Sequence, residues 1–440
     1  MNNLCAVAKN TACPRKASIR RARDGFGHAN RKERCNAKTT GRHLLLKLPD
    51  SRAAFPDSFS PARLSGAIGI SRVICILGVV YVHAWTGLDG GQLAQADASA
   101  QGIFRWVLME LLGRSAVPLL GMISGWLVAG TAWSRPYGTF MRGKARTILL
   151  PMLLWNMLAM LIISGGGALG LLASPVPQSV WDGFNQLFSL LTPNETNVQM
   201  AFLRDLFICM ALAPLLVRMR SRWLWAIMAL ASAWAISGWI NPLLLRPSIL
   251  IFFVAGILAR RQRFEVRAAG MPMAHAALLF GVCAFAKVLV SALAAPLGAA
   301  HPQMMAALDL VLRFSAALMF WRIAWWLAGS SKGAAVLKIE PYAFLIFCSH
   351  LILIWLAGPA IGLLTGPLGS PAYPAFLLLQ PALAAAVGVV IGKALMAASP
   401  PAAEILSGGR LKAGQGKTPV QGRWITSGIG FGRGQAANSS

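Results

Sequence analysis

Charged residues are scarce in this chain of 440 residues. They make up 12% of the sequence, against 56% for hydrophobic residues, and the mean hydropathy is +0.59. A soluble domain carries about 25% charged residues, so this composition argues against an ordinary globular protein. It predicts an integral membrane protein.

Acidic residues are the scarcer of the two charged classes. The chain contains 14 Asp and Glu residues against 41 Lys and Arg residues, which gives a formal net charge of +27. Such an excess is typical of nucleic-acid-binding proteins when the basic residues line a solvated surface. Here the basic residues follow a membrane topology instead, and we predict no nucleic-acid partner.

Cysteines and the common enzyme motifs are also sparse. None of the seven cysteines forms a CxxC or CxxH pair, and the HExxH, GxxxxGKS and GxSxG motifs do not occur. We therefore expect no disulfide framework, no metal site and no permanently bound cofactor. Residues 1–47 contain no apolar segment, so we expect no cleavable signal peptide, although this Arg-rich start also resembles an organellar transit peptide.

Long apolar runs, in contrast, recur ten times. A helix needs about 20 apolar residues to cross the hydrocarbon core of a bilayer. The runs occupy residues 68–86, 103–130, 147–164, 200–217, 222–240, 243–259, 271–293, 304–327, 342–364 and 375–397. The sequence therefore predicts an all-α integral membrane fold with about ten transmembrane helices.

The loops between these runs alternate in charge. Lys and Arg residues concentrate in loops 131–147, 218–222, 259–270 and 328–341, whereas loops 87–102, 165–199, 294–303 and 365–374 contain none. Cytoplasmic loops carry the excess of basic residues in membrane proteins. With ten spans, this pattern places both termini in the cytoplasm, and only Arg246 departs from it.

The two ends of the chain differ from the apolar middle. Residues 1–63 contain 14 basic and four acidic residues but few large apolar ones, and residues 399–440 are rich in Gly, Ser and basic residues. Such compositions cannot bury a core. We predict a disordered N-terminal tail over residues 1–63, a membrane domain over residues 64–398 and a disordered C-terminal tail over residues 399–440.

The first apolar run carries two polar side chains, Arg72 and His83. Eleven residues are about three helical turns, so both side chains project from nearly the same face, roughly 16 Å apart along the axis. Ionisable groups inside a bilayer are costly and often functional. Arg72 is alternatively a snorkelling topology anchor, and His83 is alternatively part of an interfacial aromatic belt.

This Arg-x10-His pair resembles the signature of the acyltransferase 3 family, whose members are bacterial membrane enzymes that acylate surface and secreted carbohydrates. Four further segments resemble family motifs in the same order along the chain. They are AVPLLGMISGWLVAG with Ser124, FMRGKARTILLPMLLW, FLRDLF, and YAFLIFCSHLILIW with His350. The resemblance covers about residues 61–397 and is closest to the branch that acetylates exopolysaccharides.

The resemblance implies a transfer reaction across the bacterial inner membrane. Acyl-CoA, with acetyl as the default acyl group, would be the cytoplasmic co-substrate, and a sugar hydroxyl at the outer face would be the acceptor. Arg72 would hold donor phosphates, helped by the basic residues Arg142, Lys144 and Arg146. Their spacing departs from the family's usual Arg-x-x-Arg, so which of the three binds the donor stays open.

His83 has the chemistry of a general base for the sugar hydroxyl, and Ser124 or the backbone near Gly125 could stabilise the oxyanion. A covalent acyl-histidine relay is the alternative. Glu110 either orients His83 or forms an ion pair with Arg114. His350 is either a second functional histidine or a packing hydrogen-bond donor.

Arg204 and Asp205 form either a structural pair or a contact with the acceptor sugar.

The partners that the resemblance implies are acyl-CoA, a carbohydrate acceptor, the lipid bilayer and polysaccharide-assembly proteins. A transporter or flippase for lipid-linked sugars is the rival interpretation of the whole sequence, because it also needs ten or more helices and buried charges. An inactive membrane scaffold is the third.

Overall fold

The computed structural model describes residues 60–412, apart from residues 97, 132–135, 191–195, 240–243, 245 and 294–297, and over these residues it contains helices and no strands. Most of the two predicted tails therefore lies outside the described residues. The helices are α1 (Pro61–Val82), α2 (Gly90–Ala96), α3 (Ala100–Ala129), α4 (Tyr137–Ala168), α5 (Val180–Phe188), α6 (Met200–Leu216), α7 (Ser221–Ser237), α8 (Pro247–Arg261), α9 (Phe264–Gly270), α10 (Met273–Ala292), α11 (His301–Leu327), α12 (Ser331–Leu337), α13 (Ala343–Thr365), α14 (Tyr373–Ala398) and α15 (Pro400–Leu406).

The predicted all-α membrane class is confirmed. Seven helical stretches of the described chain are long and apolar enough to cross a membrane, namely α1, α3, α4, α10, α11, the combined stretch Ser331–Thr365 and α14. The fourth, fifth and sixth predicted spans are also helical, as α6, α7 and α8, but these have only 17, 17 and 15 residues. The count of ten spans and the cytoplasmic termini stay predictions.

Helix α1 lies at the centre of the fold. The side chain of Ser60 caps it by accepting a hydrogen bond from the Arg63 N–H at 3.1 Å, and Pro61 occupies the first helical position, where no donor is needed. It packs against α3, α11, α13 and α14. Because α1 contacts neighbours on several sides, most of its residues are buried, including Ser71 and Ile70.

Helices α3 and α8 cross at two glycines. A Cβ atom built on Gly125 would lie 1.9 Å from the Phe253 carbonyl oxygen, and one on Gly256 would lie 2.0 Å from the Met122 carbonyl oxygen. Only glycine therefore permits this backbone approach. Small residues at helix crossings are the usual device for close packing in membranes, where the hydrophobic effect does not drive helices together.

The membrane domain extends beyond residue 398, contrary to the predicted boundary. Helix α15 packs on α14 and α4, and the Trp155 indole N–H donates a hydrogen bond of 3.0 Å to the Leu406 carbonyl. Ala403, Ser407 and Leu411 are buried. Composition missed this segment because residues 399–440 as a whole are rich in Gly, Ser and basic residues, whereas the seven residues of α15 are ordered by packing on α14 and α4.

The α3–α8 crossing yields a stability prediction. Gly256→Val should lower the thermal midpoint of the purified protein, since added carbons at a tight contact cost about 1–3 kcal/mol or more. Gly281→Val on α10 is the matched control, because a Cβ at Gly281 meets no atom within 4 Å. Equal midpoints for the two variants in the same detergent would show that the crossing is not tight.

Candidate active site

Two contacts at different depths connect α1 with residues 340–350, which include the start of α13. At one level the Arg72 guanidinium forms an ion pair of 3.0 Å with Glu340, and both side chains are largely buried. At the other level the rings of His83 and His350 lie 5.5 Å apart, centroid to centroid. Because the two segments run side by side in the same direction, Arg72 and His83 face the same neighbour, as their spacing predicts.

The chain that follows His83 is held from several sides. The Trp85 N–H donates to the Gln380 side chain at 3.0 Å, and the Tyr373 hydroxyl donates to the Trp85 carbonyl at 2.9 Å. The Trp85 indole lies so close to Gly358 and Gly362 that a Cβ at either would overlap it. These contacts fix the end of α1 and with it the position of the His83 ring.

His350 is fully buried, and its ring has a defined orientation. Its Nδ1 lies 2.8 Å from the Phe347 carbonyl oxygen. A carbonyl oxygen only accepts, so Nδ1 carries the hydrogen and Nε2 of the neutral ring is an acceptor. No donor in the described part of the chain reaches Nε2. His350 is thus placed to influence the neighbouring His83 ring rather than to meet solvent.

A cavity of about 630 Å³ opens beside His83. Its volume lies within the range of small-molecule sites. Apolar residues of α1, α3 and α13 form part of its wall, while Arg114, Arg246, Arg313, Asp309 and Gln199 give the remainder a polar character. The reach of the cavity to His83 gives this histidine access to a ligand, which the buried His350 lacks.

A chain of ion pairs crosses the helices next to this cavity. Glu110 and Arg114 lie in a stretch of α3 with wide π-helical turns, Val107–Arg114. One Glu110 oxygen lies 2.6 Å from Arg114, and the other lies 2.9 Å from Lys287 of α10. Lys287 also contacts Asp309 of α11 at 2.5 Å. The alternating signs let these charges remain inside the bundle.

The structure changes the interpretation of two predicted residues. Among the described residues, the Glu110 carboxylate bonds to Arg114 and Lys287 and not to His83, so the ion-pair alternative describes its geometry. The Ser124 hydroxyl donates to the Leu120 carbonyl at 2.8 Å, within its own helix, and Ser124 does not line the His83 cavity. Gly125 is occupied by the crossing with α8. Neither Ser124 nor Gly125 faces an oxyanion position near His83.

Arg204 and Asp205 are a buried pair. Asp205 accepts two hydrogen bonds from the Arg204 guanidinium and one of 2.9 Å from the Arg246 N–H, while Arg204 also donates to the Ser189 carbonyl at 3.0 Å. The pair therefore anchors the backbone at Arg246, whose side chain lines the cavity. This geometry matches the first of the two interpretations of Arg204 and Asp205, a structural ion pair.

The residues predicted to hold the donor lie apart from the His83 cavity. Arg142, Lys144 and Arg146 are on the first turns of α4, where Lys144 lies over the Phe140 ring and the two arginines are exposed. Thr147 of the same stretch packs on the turn after α15, because a Cβ at Gly408 would lie 2.5 Å from the Thr147 carbonyl.

That turn carries a further cation, Arg410. Gly408 and Gly409 both have positive φ, and the Ser407 hydroxyl accepts hydrogen bonds from the Arg410 and Leu411 N–H groups. The guanidinium lies 4.0 Å from the Phe344 ring centroid. Burial, and then the charge of nearby Arg72, lower the pKa of Arg410 to about 10, so it stays ionised at neutral pH.

Sequence analysis missed Glu340, Arg410, Gln199 and Arg246 as site residues. A charge inside a membrane run was a usable signal for Lys287, Asp309 and Arg313. It was absent for Glu340 and Arg410, which lie in polar segments where a charge is ordinary. Their importance depends on which helix ends meet, and composition does not report that.

The fold and these residues define a multi-pass membrane protein in which charged and imidazole groups line a ligand-sized cavity. The family profile described as acyltransferase domain matches residues 66–397, so the chain belongs to the acyltransferase 3 family. It is therefore an enzyme that transfers acyl groups other than aminoacyl groups.

A curated relative agrees with this assignment. The chain is 28% identical to the succinoglycan biosynthesis protein ExoH of Rhizobium meliloti (strain 1021) over 380 residues, which cover 82% of this chain and 97% of the relative. No solved structure matches the chain.

The ion-pair chain yields a second stability prediction. Lys287→Met should lower the thermal midpoint strongly, because removing one partner of a buried ion pair costs about 3–5 kcal/mol. Both Glu110 and Asp309 would lose their shared cation. Lys332→Met, at an exposed lysine near the start of α12, is the control. A midpoint of Lys287→Met as high as that of the control would refute the structural role.

Proposed function

We propose that the protein is an O-acyltransferase of the bacterial inner membrane that transfers an acyl group, acetyl by default, from cytoplasmic acyl-CoA to a sugar hydroxyl of an exopolysaccharide or another surface glycan. The relative's role in succinoglycan biosynthesis supports a carbohydrate acceptor. The proposal depends mainly on one observation: His83 lines a ligand-sized cavity and contacts His350.

His83 is the proposed general base. It takes the proton of the sugar hydroxyl as that oxygen attacks the thioester carbonyl carbon. The new C–O bond forms, the C–S bond breaks, and the proton passes from the imidazolium to the departing CoA thiolate. His350 positions the His83 ring in this scheme. Transfer through an acyl-histidine intermediate stays the alternative.

The oxyanion of the tetrahedral intermediate needs a positive partner in place of Ser124. Arg114 is the best placed candidate. It lines the cavity, and Gly113 before it packs against Val82, the residue before His83. The Glu110 contact holds Arg114 in place, so its charge is oriented before the reaction begins, as electrostatic stabilisation requires.

The phosphates of the acyl donor are proposed to bind at Arg72. Its guanidinium is close to the Arg410 charge, and the turn of Arg410 packs on the basic start of α4. Arg72, Arg410, Arg142, Lys144 and Arg146 would together attract the phosphates of acyl-CoA. Glu340 then orients Arg72 while the site is empty of donor.

His83→Ala should lower acyl transfer by about 10²- to 10⁴-fold, the usual contribution of a general base. The measurement is the acyl content of surface polysaccharide by mass spectrometry in cells that express equal amounts of protein. His275→Ala, at an exposed histidine of α10, is the matched control and should leave the acyl content unchanged. Full acylation by the His83 variant would exclude it as the base.

Arg72→Ala should raise the donor KM of the purified enzyme by about tenfold or more, because a charge-assisted contact is worth roughly 1.5–3 kcal/mol. Arg63→Ala is the control on the same helix, since Arg63 stacks on Trp325 and lies two to three turns before Arg72. If Arg72→Ala changes only the yield of folded protein, as a topology anchor would, the donor role is wrong.

A further inference from the structure

The His83 cavity has an excess of positive charge. Arg114, Arg246 and Arg313 line it, and Asp309 is the acidic residue among the lining side chains. Neighbouring charges outside the wall do not reduce this excess. Glu110 is matched by Lys287, and Asp205 is matched by Arg204. The wall therefore keeps a surplus of two positive charges.

Arg313 is the least compensated of these cations. It lies well inside α11, an apolar helix of 27 residues. Within the described part of the chain its guanidinium makes no hydrogen bond, and its one ion pair, with Asp309, spans 3.9 Å. Asp309 itself is held more closely by Lys287, at 2.5 Å. An arginine at this depth is costly unless it meets a partner of opposite charge.

A second wall group also lacks a partner. Gln199 is only 2% exposed and lines the same cavity. No donor in the described ranges reaches its Oε1 atom. Buried carbonyl oxygens are normally hydrogen-bonded, so this one is suited to a ligand donor such as a sugar hydroxyl. The cavity thus offers an acceptor for a hydroxyl and cations for an anion.

We infer that the ligand of the His83 cavity carries an anionic group, either a carboxylate or a phosphate. This group binds Arg313, away from the reacting hydroxyl and carbonyl. This inference rests on the proposed function. The anion has two possible sources. It is either a free carboxylate on the transferred acyl group, as in a dicarboxylic acyl thioester, or an acidic group on the acceptor sugar. Guanidinium geometry suits both.

The test compares matched substrates with the full-length protein in nanodiscs. Donors are acetyl-CoA and succinyl-CoA, and acceptors are a neutral oligosaccharide, one with a uronic acid and one with a sugar phosphate. The readout is the ratio of kcat/KM for each charged substrate to that of its neutral counterpart. We expect wild type to prefer one charged substrate by about 10- to 100-fold, the worth of a charge-assisted hydrogen bond. The preferred substrate identifies the source of the charge.

Variants of cavity residues then test whether the preference for charged substrates arises in the cavity. Arg313→Gln should remove most of it, Arg313→Lys should retain part of it, and the control Arg220→Gln, at an exposed arginine before α7, should retain all of it. Circular dichroism and size-exclusion profiles identify any variant that is not folded. If Arg313→Gln does not fold, Arg246→Gln replaces it.

Direct binding separates this inference from the proposed function. Isothermal titration of the same CoA thioesters and oligosaccharides reports charge preference without turnover. Binding of charged substrates without transfer in any combination would overturn the proposed function and support the inference. Transfer with equal kcat/KM for charged and neutral substrates would overturn the inference alone. A preference that Arg313→Gln leaves intact would overturn it as well.

Discussion

The association of α1 with the segment from Glu340 to His350 is the constraint on which the rest of the site depends. One ion pair and one ring contact join the two segments, about three turns apart. The ion pair needs opposite charges and the ring contact needs two imidazoles, so neither forms with other neighbouring residues. Together the two contacts fix the rotation of α1 about its axis and its position along α13. A slip by one turn would separate Arg72 from Glu340 and His83 from His350 together.

The charged chain beside the cavity has a related effect across other helices. Lys287 connects carboxylates of α3 and α11, so its single cation determines how three helices approach each other. Charges inside a bilayer are tolerated when their partners are in place. Such a network therefore favours one arrangement of the bundle strongly over others. It also keeps Arg114 fixed beside the end of α1, where a developing negative charge is proposed to form.

Sequence reasoning located the residues that differ from their surroundings. Arg72, His83 and His350 stand out because each interrupts an apolar run, and the same signal is present at Lys287 and Asp309. It could not pair them, because Glu110 and Lys287 are 177 positions apart and their contact depends on helix packing. Ser124 was overrated for a physical reason, since a serine hydroxyl within a helix can bond to the carbonyl four residues earlier.

The stretch between the two levels of α1 bears on how the proposed reaction could cross the bilayer. Between Arg72 and His83 the buried residues are apolar or weakly polar, including Cys75, Ile76 and Val79, and Cys348 of α13 is equally buried. Such a dense segment has no groups that would carry water or ions from one face to the other. A donor arm that follows this face of α1 to His83 would therefore have to displace side chains. The binding energy of the donor phosphates that we propose to bind at Arg72 and Arg410 would supply that work, because it is realised far from the reacting atoms.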